Sequence, residues 1–272
     1  MPDPIAILGS GNMGRALGTR LAATGYPVFF GSRRPEQAEA AASTANSAIP
    51  STSSSSPSPK AQHGSILDAA KFGKMLIWTM REQDPHRILG PSADVPSILS
   101  GKIIIDLNNR DYATEVAGEN AGEDGKQKTR WFDMSLGEQL QESLRSAGAK
   151  SAVVVKAFNT VAMEALDISA SKLRESGAQI FVASTDDDGR DGESGAGKKA
   201  REQVAAMTEA LGWKATDLGS GPAAMRGAEA LGDIIRWMII KQGMGGRANI
   251  KIDLLPEPDL GHIGERQDSQ YH

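Results

Sequence analysis

The chain of 272 residues contains no cysteine, which excludes disulfides, thiolate metal sites and cysteine nucleophiles. Histidine is nearly as scarce. His63 in a polar loop, His86 on a surface helix and His262 and His272 in the tail assemble neither a metal-ligand spacing nor a Ser-His-Asp set. The acidic run Asp186-Asp187-Asp188 lacks the ordered spacing of a cation loop, so no metal site is expected. Long apolar runs are missing too. The best, Ile103-Ile104-Ile105 and Ala152 to Val155, fall far short of the roughly eighteen residues a membrane-crossing helix needs, and they suit buried parallel strands. The opening MPDPIAILG has no basic segment, long apolar stretch or small-residue cleavage site, so no secretory signal is expected and a cytoplasmic location is. Nor is positive charge in surplus. With 30 Lys and Arg against 34 Asp and Glu, a net charge of -4 and no basic patch interleaved with aromatics, the chain does not read as a nucleic-acid binder.

What the sequence does have is alternation, and enough apolar content (39%) to bury a sizeable core. Strand patterns at Ile5 to Leu8, Val28 to Gly31, Lys74 to Thr79, Lys102 to Leu107 and Ala152 to Ala157 are separated by helical ones, including Asn12 to Ala23 and Pro35 to Asn46. Ser135-Leu136-Gly137-Glu138 has the form of a capping box and starts the helix before the fifth of these strands. The pattern predicts an α/β fold: a Rossmann-type, doubly wound, mainly parallel sheet over 1–157, followed by a small C-terminal α/β domain over 158–272. The second part holds a strand at Gln179 to Ser184, a helix from about Gly197 to Leu211, a strand at Lys214 to Asp217 and a long helix from Pro222 to Gln242. The apolar surface of that last helix runs almost all round, and it is expected to bury part of itself against a second copy, with Ile235 at the contact. Three stretches read as solvated insertions: the Ser/Pro-rich segment at about 47–62, 115–130 and 185–199.

Gly9-Ser10-Gly11-Asn12-Met13-Gly14 fits G-x-G-x-x-G directly after the first strand and at the start of the first helix. In that context Gly9 permits the tight turn, Gly11 lets a pyrophosphate approach the backbone, Gly14 lets helix and strand pack closely, and the helix N-terminus offers free N–H groups to phosphate. At the end of the second strand an NAD enzyme carries Asp or Glu for the ribose 2'-hydroxyl. This chain has Ser32, Arg33 and Arg34 there. A hydroxyl and guanidinium forks suit a 2'-phosphate that a carboxylate would repel, so NADP is the expected cofactor.

These stretches, with "VVKAFNTV" at 154 to 161 and the C-terminal "DLGSGPAAMRGAEAL... KQGMGGRANIKI", resemble the NADP oxidoreductases that use the deazaflavin coenzyme F-420. More distantly the chain is similar to the nucleotide-binding domain of membrane metalloreductases and the N-terminal half of pyrroline-5-carboxylate reductases. The resemblance implies a C-terminal domain that covers the nicotinamide, and a dimer. By position it also implies that Ser10, Asn12 and Met13 join the glycine turn and that Ser32 and Arg33 hold the 2'-phosphate. It places Thr79 and Met80 beside the cofactor, and Ala157, Phe158, Asn159 and Thr160 near the nicotinamide. The segment LNNRDYATE, after the strand at Lys102 to Leu107, departs from those enzymes, so the acceptor is not carried over.

Hydride transfer needs a cofactor held at the right distance and angle from an acceptor, and little else from the protein. If the acceptor takes up a proton, the nearest candidate donors are Tyr112, Lys156 and Asn159 with a bound water. Each also has a plainer role, as a loop aromatic, a strand-end surface charge and a helix N-cap respectively. The sequence therefore predicts an NADPH-dependent oxidoreductase acting on a small imine, carbonyl, quinone or flavin-like acceptor. Reduction of the deazaflavin itself and a non-enzymatic NADP sensor are the alternatives.

Overall fold

The computed structural model describes residues 2–50, 59–109, 134–185 and 195–253. Eight strands form one sheet: β1 (Ile5–Leu8), β2 (Val28–Gly31), β3 (Gln62–Gly64), β4 (Met75–Trp78), β5 (Ile103–Asp106), β6 (Val153–Lys156), β7 (Gln179–Ser184) and β8 (Lys214–Ser220). Their order is β3-β2-β1-β4-β5-β6-β7-β8, and neighbours run parallel except β6 and β7, which are antiparallel. The strands carry apolar side chains on both faces because both faces are covered. Ile5, Ile7, Phe30, Ile77 and Val155 pack on one side, under α1 (Asn12–Ala23), α2 (Pro35–Ala48) and α8 (Ala196–Ala210). Ala6, Leu8, Trp78, Ile104 and Val154 pack on the other, under α3 (Ile66–Phe72), α4 (Pro85–Leu89), α5 (Val95–Leu99), α6 (Leu136–Ser146) and α9 (Gly221–Ile240). A further helix, α7 (Ala170–Ser176), leads into β7.

The capping box at Ser135 forms as expected. The hydroxyl accepts from the Glu138 N–H at 3.2 Å, while the Glu138 carboxylate accepts from the Ser135 N–H at 2.7 Å. Other expectations are corrected. His63 lies in the edge strand β3, not in a loop. The ends of the Ser/Pro insertion are structured, since α2 runs to Ala48 and the Asn46 amide both donates to and accepts from the Ala61 backbone. Residues 51–58, the insertion at 115–130, most of that at 185–199, Tyr112, His262 and His272 lie outside the described residues. The sheet does not stop at residue 157: β7 and β8 extend it without a break. Along α9, Ile235 faces inward and is buried, whereas Ile234, Trp237 and Ile240 are 47%, 51% and 54% exposed.

Candidate dinucleotide site

Register alone gathers the candidate residues. Gly31, Leu8, Trp78, Asp106 and Lys156 pair in succession across five parallel strands, so the residues that follow them (Ser32, Gly9, Thr79, Leu107 and Ala157) emerge along one edge. In a doubly wound sheet this C-terminal edge is where ligands bind.

The turn after β1 has the conformation its glycines permit. Gly9 sits at φ +104°, in the left-handed region, and a Cβ there would strike Thr79 Oγ1 and meet Met80 Cγ at 3.2 Å. Thr79 Oγ1 in turn donates to the carbonyls of Leu8 at 2.8 Å or Gly9 at 3.0 Å, clamping the turn against β4. A Cβ on Gly14 would run into the Gly9 carbonyl and approach the Ile7 side chain at 2.9 Å, so helix α1 and strand β1 touch there through glycine. Gly11 is the opposite case, with nothing within 4 Å of a Cβ, which leaves its backbone open to an approaching group. No side chain caps α1 and none in its first turn is acidic, so the first-turn N–H groups keep their attraction for an anion. Asn12 and Met13 belong to that turn, and Ser10 Oγ is buried without a partner among the described residues.

At the end of β2, Ser32 is held by its N–H to the Gly64 carbonyl at 3.2 Å, and its hydroxyl accepts from the Arg34 N–H at 3.1 Å. Arg33 and Arg34 follow, both exposed.

At the far end of the edge, charge has moved inside. Lys156, read from the sequence as a candidate proton donor or a strand-end surface charge, is fully buried, and its ammonium donates to Asp106 Oδ2 at 2.7 Å, Glu229 Oε2 at 2.9 Å and the Asn108 carbonyl at 2.6 Å. Burial pushes the Lys156 ammonium down, but Asp106 and Glu229 together outweigh it and its pKa stands above the usual lysine value. The proton stays on the nitrogen, and all three N–H bonds are committed. Glu229, on α9, also accepts from the Leu136 N–H at 2.9 Å, while Arg226 grips Glu138 through two bonds of 3.0 Å, so α9 is anchored over the ends of β5 and β6 by its polar side. Asn159 is not a helix N-cap. Its amide nitrogen donates to Asn109 Oδ1 at 3.0 Å and to the Ala228 carbonyl at 2.8 Å. Phe158, buried beside Trp213, has φ +60° and is the one non-glycine with positive φ among the described residues. Sequence reasoning missed Asp106 and Glu229 and gave no role to Asn108 and Asn109, which it placed at a strand end facing the ligand; DLNN offered a polar strand end as a signal, but Glu229 gave none.

Fold and glycine turn define a Rossmann-type dinucleotide-binding protein. More particularly, residues 4–110 match the family described as NADP oxidoreductase, coenzyme F420-dependent, which is the family the sequence resembles. Among solved structures, the candidate F420-dependent NADP-reductase of Arthrobacter sp. FB24 is 26% identical, with 93% of this chain and 100% of that one covered and a TM-score of 0.62. An imine reductase from Pseudomonas sp. shares the fold at 15% identity, 89% and 64% coverage and a TM-score of 0.54. So does the imine reductase of Myxococcus stipitatus in complex with NADP+, at 15%, 88% and 62%, and 0.52. The chain spans less than two thirds of the length of those two enzymes.

Proposed function

We propose that the chain is an NADPH-dependent reductase that delivers hydride to a small organic acceptor of the imine, carbonyl, quinone or flavin-like class. The observation that carries this reading is the end of β2, where Ser32, Arg33 and Arg34 stand with no carboxylate among them. Three features of the turn support a dinucleotide: the open backbone at Gly11, the uncapped start of α1 and the unpartnered Ser10 hydroxyl. In this reading the turn from Gly9 to Gly14 binds the pyrophosphate, Ser32 and the two arginines bind the 2'-phosphate, and Thr79, Met80 and Ala157 to Asn159 flank the nicotinamide end. Bound NADPH supplies the hydride; the protein orients it and keeps water away. Lys156 is a structural charge here rather than a proton donor, because no N–H of its ammonium is left for an acceptor.

A deazaflavin acceptor is the second reading, favoured by the family match and by the Arthrobacter structure. A cytoplasmic homodimer completes the proposal. The apolar row of Ile234, Trp237 and Ile240 on α9 supports the dimer, and Trp237→Glu should then shift a dimer to monomer in sedimentation. The reaction is tested by incubating the protein with NADPH deuterated at C4 and a panel of cyclic imines, ketones, quinones and a deazaflavin. Deuterium appearing in one reduced product supports the reading and names the acceptor class, whereas NADPH that stays unoxidised across the panel counts against it.

A further inference from the structure

Just past β6 two neighbouring side chains hold buried polar atoms with no partner among the described residues, Asn159 Oδ1 and Thr160 Oγ1, in residues 5% and 1% exposed. Native folds pair the great majority of such atoms, so two adjacent exceptions call for an explanation. The Asn159 amide cannot satisfy itself by turning over. Its nitrogen already serves Asn109 Oδ1 and the Ala228 carbonyl, and a flip would set an oxygen against both of those oxygens. Asn109 is fixed in the same way, because its own amide nitrogen donates to the Asn159 backbone carbonyl. Asn159 Oδ1 is therefore an acceptor of fixed orientation that lacks a donor among the described residues.

The surroundings are built to hold it so. Gly232 on α9 lies against this pair, and a Cβ there would strike Asn109 Oδ1 and come within 2.6 Å of Asn159 Nδ2. Phe158, immediately before, keeps a left-handed backbone that a bulky residue adopts only at a cost, a strain that concentrates at ligand sites. All of this lies on the C-terminal edge of the parallel strands, where a ligand is expected.

We propose that Asn159 and Thr160 read the carboxamide of the nicotinamide ring: Asn159 Oδ1 accepts from its N–H, and the Thr160 hydroxyl donates to its carbonyl oxygen. The inference rests on the NADP reading above. A fixed acceptor and, on the next residue, a rotatable hydroxyl together complement a primary carboxamide, the one group on that ring that carries both an N–H donor and a carbonyl acceptor. A ring without the N–H leaves Asn159 Oδ1 unpaired in a dry site, and so it is rejected.

The test compares dissociation constants for NADP+ and for its 3-acetylpyridine analogue, in which a methyl group replaces the amide nitrogen while the carbonyl remains. Wild type should bind NADP+ about five- to tenfold more tightly than the analogue, the value of one hydrogen bond plus an acceptor left unpaired. Asn159→Ala should weaken NADP+ by that factor, leave the analogue within about twofold and so erase the preference. Thr160→Val, which keeps the Asn159 network, should weaken both ligands by the same factor, because both carry the carbonyl. Equal binding of the two ligands by wild type overturns the inference while the NADP reading stands. So does an Asn159→Ala variant, shown folded by its circular dichroism, that retains the preference, or a Thr160→Val variant with unchanged affinities. A wild type that binds neither ligand overturns the NADP reading and this inference with it. Should Asn159→Ala not fold, the wild-type ratio and Thr160→Val decide the matter.

Discussion

Replacing Lys156 with methionine is the sharpest perturbation of the buried cluster. The side chain is fully buried, and methionine nearly fills its volume, so the change removes charge and three donors while opening little cavity. Asp106 keeps the Asn108 backbone and amide donors at 3.0 and 2.8 Å, and Glu229 keeps the Leu136 N–H, so what is lost is the charge that lets two carboxylates share one buried place. Breaking a buried ion cluster from one side costs about 3–5 kcal/mol, which for a protein of this size lowers the melting temperature by on the order of 10 °C. In wild type the Lys156 pKa is raised above its ordinary 10.5, so its contribution is complete at neutral pH and is lost only when pH rises through the raised value. In the variant the two carboxylates are left facing each other without their counter-charge. Lys156→Met/Glu229→Gln should therefore recover a substantial part of the loss, which ordinary core damage would not allow. A penalty below about 1 kcal/mol at pH 7, or a double variant no more stable than Lys156→Met alone, would refute the role assigned to the cluster.

Gly14→Ala puts a methyl group against the Gly9 carbonyl and Ile7, so the turn must open. We expect about 1–3 kcal/mol of destabilisation in urea titrations together with a more than tenfold loss of NADPH affinity. Arg20 ties α1 to the second half of the chain by donating to the carbonyls of Leu166, Ile168 and Leu211 while lying 4.7 Å from the Trp213 ring centre. Arg20→Met should cost about 3 kcal/mol, and Arg20→Lys should recover little, because one ammonium cannot span what the guanidinium fork reaches. Burial pushes the Glu138 carboxyl up, but Arg226 and the Ser135 donors outweigh it, leaving its pKa below the usual 4.5. Stability from a depressed carboxylate is present above the ordinary value and lost as pH falls through the depressed one. Glu138→Gln should therefore flatten the acid side of the stability curve while leaving a uniform loss at neutral pH, as followed by thermal melts from pH 7 to pH 3.

The strand and helix alternation, the glycine turn and the change of charge at the end of β2 were all legible, because each is written in neighbouring residues. Helix α1 and strands β1, β2 and β7 lie where the apolar pattern put them. The antiparallel direction of β7 was not legible: QIFVAS is buried at every position and reads alike both ways. Strand β3 escaped because Gln62-His63-Gly64 carries no apolar side chain and is held at the sheet edge by backbone pairing with β2 alone. The buried cluster was invisible for a different reason. A lysine at a strand end looks like a surface charge until the fold brings Asp106 and Glu229 to it from other elements, and Asn159 likewise meets Asn109 across 50 residues of sequence. On α9 the apolar pattern ran nearly all round, so it could not tell the inward Ile235 from the outward Ile234 and Trp237; the buried charges at Glu229 and Asp233 mark the inner side instead.

The central claim, that this edge of the sheet holds NADPH through the residues after β2, is tested most directly by fluorescence titration of wild type and Arg33→Ala with NADPH and NADH. Charge-assisted bonds to the 2'-phosphate are worth about 1.5–3 kcal/mol each, so wild type should prefer NADPH by at least tenfold, and Arg33→Ala should lose most of that preference while NADH binding hardly changes. Equal affinity for the two coenzymes in wild type, or an equal loss of both in the variant, would contradict it.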